Sequence, residues 1–373
     1  MTAPLITARA TAALQNLFIG DALAMPVHWY YRASDIDMAF PGGIRGFEAA
    51  PAFHPSSIMS LHSTSQGGRK SVAGQSQIDI VGGLILKGKA QYWDSPNVHY
   101  HQGMRAGDNT LNAYCALTLM QVMNQSGGHY DRDRFLQAYL ELMTADQPAH
   151  PDTYAESYHR GFFANLAKGL PPERCAAVTH DTPSIGGLVT IAPLAISERL
   201  RGTTLENTLQ LCRSHLALTH PDDSLARVCD AYVELIDALL FREDDTPVQD
   251  ILLNAVRELP RRELVTLLES SRPDREVIGR VLSPACYISD SWPAVLYLAC
   301  KYQQNSVRAL QVNAEVGGDN VHRGSVLGVL LGLIHGEPAG SLFDQLTEHD
   351  SINPAINQLS RACQASPASL PPR

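Results

Sequence analysis

Apolar residues recur at the spacing of an α-helix along most of the chain, and this periodicity constrains the fold more than any other feature of the sequence. Strand signals are nearly absent, and proline and glycine interrupt the pattern at intervals typical of ordinary helices. No fixed-period repeat is present, which argues against a solenoid. The sequence therefore predicts an all-α fold, one globular multi-helix bundle over residues 1–363. Helices are predicted at 8–23, 110–123, 134–143, 205–216, 224–240, 248–259, 262–269, 291–302, 306–314 and 324–335.

Composition narrows the class of partner. The chain has 373 residues, of which 45% are hydrophobic and 18% charged, so it can bury a large core. A net charge of −9 without a basic patch argues against nucleic acid and membranes as partners, and favours a small molecule or a protein surface. No apolar run reaches the roughly 18 residues of a transmembrane helix, and no signal-peptide pattern is visible, so we expect a cytoplasmic protein. The seven cysteines are scattered and are expected to be small buried residues.

Residues 41–106 form a long polar insert that is rich in Gly, Ser, His and Gln. Long segments of this kind in a compact domain usually carry function. The one apolar piece of the insert, residues 78–86, is predicted to be helical. The tail at 364–373, with its Ser and Pro, is predicted to be disordered.

A Gly-Gly-Asp run near the end of the chain is the clearest site motif. Gly317 and Gly318 can adopt positive φ without steric cost, which allows a tight turn that holds Asp319 at its exit. A loop for a hard divalent cation would continue with further oxygen ligands. Here Val321 cannot coordinate through its side chain, and His322 offers nitrogen.

A second polar run precedes the helix predicted at 110–123. Gly107 is followed by Asp108, Asn109 and Thr110, which are residues that cap free amides at a helix N-terminus. Three consecutive oxygen-bearing side chains exceed what capping requires. An anionic ligand at the helix N-terminus, or an ion held by carboxylates, is therefore an alternative interpretation.

Aromatic residues follow the first helix at unusual density. Asp21 lies near the end of that helix, and His28, Trp29, Tyr30 and Tyr31 come shortly after it. The aromatic rings either pack the core beneath a loop or line a pocket for a ring or a sugar. Asp21 is either a hydrogen-bond acceptor at the helix end or a group that supports site residues.

Histidines are concentrated near these motifs, with His54, His62, His99 and His101 in the insert. A single histidine is more often a structural group than a ligand. His99 and His101 together with Asp108 could nevertheless gather around zinc, iron or manganese. Their spacing matches no closed structural zinc pattern.

Taken in order, the motifs resemble those of the ADP-ribosylglycohydrolase family. The run 20–23, Gly-Asp-Ala-Leu, resembles the family's opening motif, 107–110 stands where the family has Thr/Ser-Asp-Asp-Thr, and 317–322 stands where it has Gly-Gly-Asp-Thr-Asp-Thr. The turn that contains Gly186 and Gly187 and the run Thr-His-Pro-Asp at 219–222 agree with further family motifs. The resemblance spans roughly residues 8–340.

The resemblance implies an all-α fold, two magnesium ions between the second and last motifs, and hydrolysis at the anomeric carbon of ADP-ribose. Gly107, Asp108 and Asn109 stand where the family has the metal ligands Thr, Asp and Asp, and the closing motif has lost a second Asp to Val321. Two close Mg²⁺ ions need bridging carboxylates, so one ion, another metal or none is expected. The candidate metal ligands are Asp108, Asn109, Asp319 and His322, with a transition metal bound through histidine as the alternative to magnesium.

Two functions follow from this pattern. The first is hydrolysis of a glycosidic bond in an ADP-ribosyl or related ribosyl or nucleotide-sugar substrate, free or on an ADP-ribosylated protein. Asp108 and Asp319 would then hold the ion or position water, Asn109 would bind a sugar hydroxyl, and His28 or His322 would be the general base. The second is a non-catalytic ADP-ribose-binding or structural protein. Residues expected at the substrate are Asp21, Trp29, His101, Gly107, Gly186, Gly187, Gly317 and Gly318.

Overall fold

The computed structural model describes residues 2–57, 59, 80–179 and 181–364. Within these ranges the chain is 59% helical and contains no β-strand, which confirms the predicted all-α class. The α-helices are α1 Ala3–Ala24, α2 Ala33–Ala39, α3 Leu111–Gln125, α4 Arg132–Thr144, α5 Ser157–Ala167, α6 Ile191–Leu200, α7 Leu205–Leu216, α8 Asp223–Leu240, α9 Val248–Asn254, α10 Arg261–Glu269, α11 Asp274–Glu276, α12 Ile288–Lys301, α13 Ser306–Glu315, α14 Asn320–His335 and α15 His349–Gln364.

All ten helices predicted from periodicity are present, and most begin and end within a few residues of the prediction. Two ends differ by five residues, because α1 begins at Ala3 rather than at 8 and α9 ends at Asn254 rather than at 259. α14 begins at Asn320 rather than at 324, so His322 lies in its first turn. Five helices were not predicted, namely α2, α5, α6, α11 and α15. α5 and α6 are buried on most sides, which removes the polar face on which the periodicity signal depends.

The helix predicted at 78–86 is wrong over its described part. Residues 80–86 form tight turns, in which the amide of Gly82 donates to the carbonyl of Ile85 at 2.7 Å. Gly82 has φ +88° and Leu86 has φ +52°, and neither value fits a right-handed helix. Two adjacent glycines at 82 and 83 favour this turn over a helix. Residues 78 and 79, His62 and residues 365–373 of the predicted disordered tail lie outside the described residues.

The antiparallel helices α1 and α14 form the central and most extensive helix pair. Both are buried on nearly all sides. Glycines of α14 let the two backbones touch, because a Cβ on Gly328 would lie 2.1 Å from the carbonyl oxygen of Asn16. Gly324 and Gly332 pack in the same way against Gly20 and Ala12. The pair brings the end of α1 beside the start of α14, where the candidate site residues lie.

Two further sequence predictions are tested by the fold. Five of the cysteines, at 115, 175, 212, 229 and 300, are buried as expected, whereas Cys286 is only partly buried. No described helix has both the length and the apolar character that a bilayer crossing requires.

Candidate functional site

A cleft with a cavity volume of about 170 Å³ opens beside the start of α14. Six aromatic side chains form much of its wall, and three carboxylates and one histidine face it. The aromatic residues are Trp29, Tyr31, Tyr100, Tyr154, Tyr158 and Tyr287, and the polar ones include Glu156, Asp181, Asp319 and His322.

The Gly-Gly turn shapes one end of this cleft. Gly317 and Gly318 have φ +70° and +68°, the positive values that the sequence predicts. Gly318 donates its amide to the carbonyl of Tyr30, and its own carbonyl accepts from the amide of Trp29, both at 2.8 Å. A Cβ on Gly318 would lie 1.9 Å from the carbonyl oxygen of Pro284, so no larger residue fits. The turn thereby fixes Asp319 next to the loop that follows α1.

Asp319 is the centre of the buried polar group. Its Oδ1 lies 3.1 Å from Nε2 of His28 and 2.7 Å from Nδ1 of His322. Its Oδ2 is buried and has no hydrogen bond. The side chain is 1% exposed, so these contacts are shielded from water.

His28 continues the contacts away from the cleft. Its Nδ1 lies 2.7 Å from Nε2 of His101, and Nδ1 of His101 lies 2.7 Å from Oδ1 of Asp152. The other oxygen of Asp152 accepts from the amide of Leu111, the first residue of α3, at 2.8 Å. Burial lowers the pKa of His28 to about 3, despite its contact with Asp319, so the ring is neutral near pH 7.

His322 continues the contacts along the cleft. Its Nε2 lies 3.2 Å from Oε1 of Glu156 and 2.6 Å from the side-chain nitrogen of Asn112. Burial alone would lower the pKa of His322, but the carboxylates of Asp319 and Glu156 outweigh it and raise that pKa. Burial likewise would raise the pKa of Asp319, and His322 and His28 lower it instead. The pair is thus an imidazolium and a carboxylate.

The motif at 107–110 does not reach the cleft. Asp108 accepts from the backbone amide of Arg105 at 2.7 Å, and the Asn109 side chain donates to Oδ1 of Asp21 at 2.8 Å. Thr110 adds two further hydrogen bonds to Asp21. These contacts join the end of α1 to the start of α3. Among the described His, Cys, Asp and Glu side chains, Asp108 is not part of the cluster of possible metal ligands around Asp319.

Of the other predicted site residues, Trp29 and Gly186 contact this buried group, whereas Gly187 and Gly107 do not. Trp29 lines the cleft, has φ +60°, and stacks on His28 with ring centroids 3.9 Å apart. Gly186 leaves room for His322, because a Cβ there would lie 3.4 Å from Nδ1 of that histidine. Gly187 packs against His220 instead. Gly107, at φ +86°, belongs to the turn that carries Asp108.

The ring nitrogens of His99 and His54 contact backbone atoms. Nε2 of His99 lies 3.1 Å from the carbonyl of Pro26, and its Nδ1 accepts from the amide of His101. His54 contacts the carbonyl of His28 in the same way. The proposed group of His99, His101 and Asp108 is therefore not assembled.

Asp152, Glu156 and Asn112 were missed by sequence reasoning. Asp152 and Glu156 lie in the segment between α4 and α5, which packs against the loop that carries His101. A signal for them was present, because residues 150–158 combine histidine, two carboxylates and two tyrosines directly after a proline-rich turn. Asn112 lies in the first turn of α3 and is hidden by the apolar periodicity of that helix.

Buried histidines away from Asp319 make stability depend on pH. Burial lowers the pKa of His215 and of His220 to about 3, and that of His54 to about 4. An unfolded chain takes up protons at these positions below pH 6.5, whereas the folded chain does not, so stability falls as pH falls. The pKa of His322 is raised in the folded chain, so protonation of His322 stabilises the fold. This stabilisation is fully present below pH 6.5 and does not change as the pH falls further.

At pH 5 each of these three histidines should cost about 2 kcal/mol of the free energy of unfolding. Urea denaturation at pH 7 and at pH 5 measures the loss. His220→Asn keeps a polar atom near the Thr219 hydroxyl but removes the titration, so its loss should be smaller by about 2 kcal/mol. An equal loss in both proteins would contradict the assignment.

The sequence model of the family described as ADP-ribosylglycohydrolase matches residues 2–368. A similar solved structure is described as "ADP-ribosylglycohydrolase-related protein complex"; it is 16% identical, with a TM-score of 0.55, and the match covers 96% of this chain and 99% of that one. At this identity the likeness supports the fold alone. Among curated proteins, none matches.

Proposed function

The chain belongs to the ADP-ribosylglycohydrolase family. We propose that it hydrolyses a glycosidic bond of an ADP-ribosyl or related ribosyl substrate bound in the cleft. The family match covers nearly the whole chain and supports a glycohydrolase-type function. The observation that carries the proposal is the row Asp319–His322–Glu156, which ends at the aromatic cleft.

Carboxylates are the groups that glycosidic hydrolysis needs. The anomeric carbon becomes positively charged in the transition state, and a nearby carboxylate stabilises it while another removes a proton from the attacking water. Glu156 lines the cleft with its side chain 14% exposed; its Oε2 is buried, lies 3.6 Å from Nε2 of His159 and has no hydrogen bond. We assign the general base to Glu156. Asp319 supplies negative charge and holds His322, which in turn positions Glu156.

His28 has a different role in this proposal from the one expected from sequence. It does not line the cleft, and Asp319 and His101 contact its two ring nitrogens. A proton would reach the cleft from His28 only through Asp319. We therefore regard His28 as a positioning residue for Asp319, whereas His322 remains at the cleft.

The two magnesium ions implied by the family do not fit these residues. Mg²⁺ requires six oxygen ligands in near-octahedral geometry. The carboxylate of Asp108 accepts from Arg105, Asn109 donates to Asp21, and Val321 offers no ligand atom. No step of the proposed hydrolysis passes through a magnesium pair.

The charge of the cleft favours the ribosyl half of a substrate over a diphosphate. No lysine or arginine lines it among the described residues, whereas Glu156, Asp181 and Asp319 do. Among the described lining residues, the imidazolium of His322 is the positive charge that balances part of these three carboxylates. A diphosphate would be repelled, while a sugar or base can stack on the aromatic walls. In chelator-treated protein we expect a ribonucleoside to bind about tenfold more tightly than ADP-ribose, a difference of about 1.4 kcal/mol in calorimetric titration.

Hydrolysis is tested by incubating the protein with ADP-ribosyl and ribosyl substrates in H₂¹⁸O. Cleavage by water places one ¹⁸O atom on the released sugar, which mass spectrometry detects. The loss of family metal ligands favours a second candidate, a binding-only protein of the same fold. That candidate predicts saturable binding of the same compounds with no labelled sugar, a result that would overturn the proposed hydrolysis.

A further inference from the structure

The contacts that lead from Asp319 through His28 and His101 to Asp152 lack one hydrogen atom when both imidazoles are neutral. Asp152 lies 2.7 Å from His101, His101 lies 2.7 Å from His28, and His28 lies 3.1 Å from Asp319. The first and third contacts join a ring nitrogen to a carboxylate oxygen, and the second joins two ring nitrogens. Each contact needs one hydrogen, and two neutral imidazoles supply two. When His101 donates to Asp152 and His28 donates to His101, the Nε2 lone pair of His28 faces the Asp319 carboxylate. Either a second proton on His101 or a cation between His28 and Asp319 removes this repulsion.

Ligand atoms for a cation converge at that point. His28, Asp319 and His322 each present one such atom, all within 4.8 Å of one another, and all three side chains are buried. The second oxygen of Asp319 is also buried and has no hydrogen bond. An unsatisfied buried carboxylate oxygen is costly, and a bound cation would remove that cost.

Both histidines also have the outer partners of metal-binding imidazoles. Such histidines almost always donate their other N–H to a carboxylate, a carbonyl or water, which fixes the tautomer and the ring orientation. His28 has this contact to His101, which Asp152 holds in turn. His322 has it to Glu156 at 3.2 Å, and a half-turn of the Asn112 amide places an oxygen against the same nitrogen.

We propose that His28, Asp319 and His322 bind one divalent transition-metal ion of the zinc, iron or manganese class, which releases the Nδ1 proton of His322 to solvent when it binds. Two imidazoles and one carboxylate suit these ions, whereas Mg²⁺ prefers oxygen alone. Asp319 and His322 line the cleft, so the ion would add positive charge where a substrate binds. The inference rests on the site of the proposed function, but ion binding is measured without substrate, so the two can fail separately.

The experiment is calorimetric titration of the chelator-treated full chain with Zn²⁺, Co²⁺ and Mg²⁺, together with the visible spectrum of the Co²⁺ form. We expect one equivalent of Zn²⁺ or Co²⁺ and no saturable binding of Mg²⁺. Asp319→Asn and His28→Gln should each weaken Zn²⁺ binding by more than about 100-fold, and His101→Gln by about 10- to 100-fold. His215→Gln changes a buried histidine elsewhere and is the matched control.

Circular dichroism establishes that each variant is folded, and the Co²⁺ spectrum should change in His101→Gln even where stoichiometry is kept. Failure of the parent protein to bind a transition ion, two equivalents of Mg²⁺, or equal Zn²⁺ binding by Asp319→Asn and His215→Gln would each overturn the metal site. A bound ion without turnover of any ribosyl substrate would support the metal site and contradict the proposed hydrolysis. Turnover by protein that binds no ion would do the reverse.

Discussion

Glutamine in place of Glu156 is expected to lower the rate of glycosidic hydrolysis by about 10³-fold, within the range that loss of a general base usually costs. The amide keeps the shape of the side chain and its position beside His322, but it cannot take a proton from water. Substrate binding should change little, so the loss appears in kcat and not in KM. Single-turnover rates at saturating substrate measure it, and the acid limb of the pH profile should disappear with the base.

A matched control comes from a second glutamate, which does not line the cleft. Glu198 is buried and accepts a hydrogen bond from the Thr203 hydroxyl, which a glutamine oxygen can also accept. Glu198→Gln should therefore retain activity within about twofold. Azide needs no base to attack, so it should restore cleavage in Glu156→Ala and form the glycosyl azide. An unimpaired Glu156→Gln protein, or no rescue by azide, would exclude Glu156 as the base.

Alanine in place of Gly328 is expected to cost about 3 kcal/mol of the free energy of unfolding. The added Cβ would lie 2.1 Å from the carbonyl oxygen of Asn16 and 2.7 Å from its carbonyl carbon, and both atoms belong to the backbone of α1. The helices must then move apart along their whole contact, because neither backbone can give way locally. Urea denaturation at pH 7 measures the change.

Gly46→Ala is the control for this substitution. Gly46 lies in the loop after α2, and a Cβ there would meet no atom within 4 Å. Its replacement should leave stability unchanged or raise it slightly, because alanine restricts the unfolded chain. Equal stability of Gly328→Ala and Gly46→Ala would mean that α1 and α14 can separate without cost.

The sequence predicted the helices better than it predicted their ends, because helix periodicity is local whereas ends depend on caps and neighbours. α14 shows the limit. Its apolar pattern begins at 324, but the helix starts at Asn320, since the Gly-Gly turn already directs the chain into it. The insert shows a different error. Its apolar run predicted a helix, but the paired glycines at 82 and 83 favour the turn that the structure contains.

The candidate site was predictable only in part for a similar reason. The Gly-Gly-Asp motif indicated Asp319 and His322, and the aromatic run after α1 indicated His28 and Trp29. Their partners come from a distant segment, because Asp152 contacts His101 across 51 positions of the chain and Glu156 contacts His322 across a much longer interval. No local pattern encodes such contacts. The motif at 107–110 had the right residue types but faces Asp21 and Arg105.

The close contact of α1 with α14 has a consequence for how a ribosome-bound chain behaves. α1 is buried on nearly all sides, yet roughly 300 residues separate its end from the start of its main partner. At about 5–20 residues per second, α1 emerges on the order of 15–60 s before α14 exists. During that interval its apolar surface lacks the cover that α14 provides, so the nascent chain should recruit a chaperone early. The site at the junction of the two helices is then completed only after α14 has been synthesised.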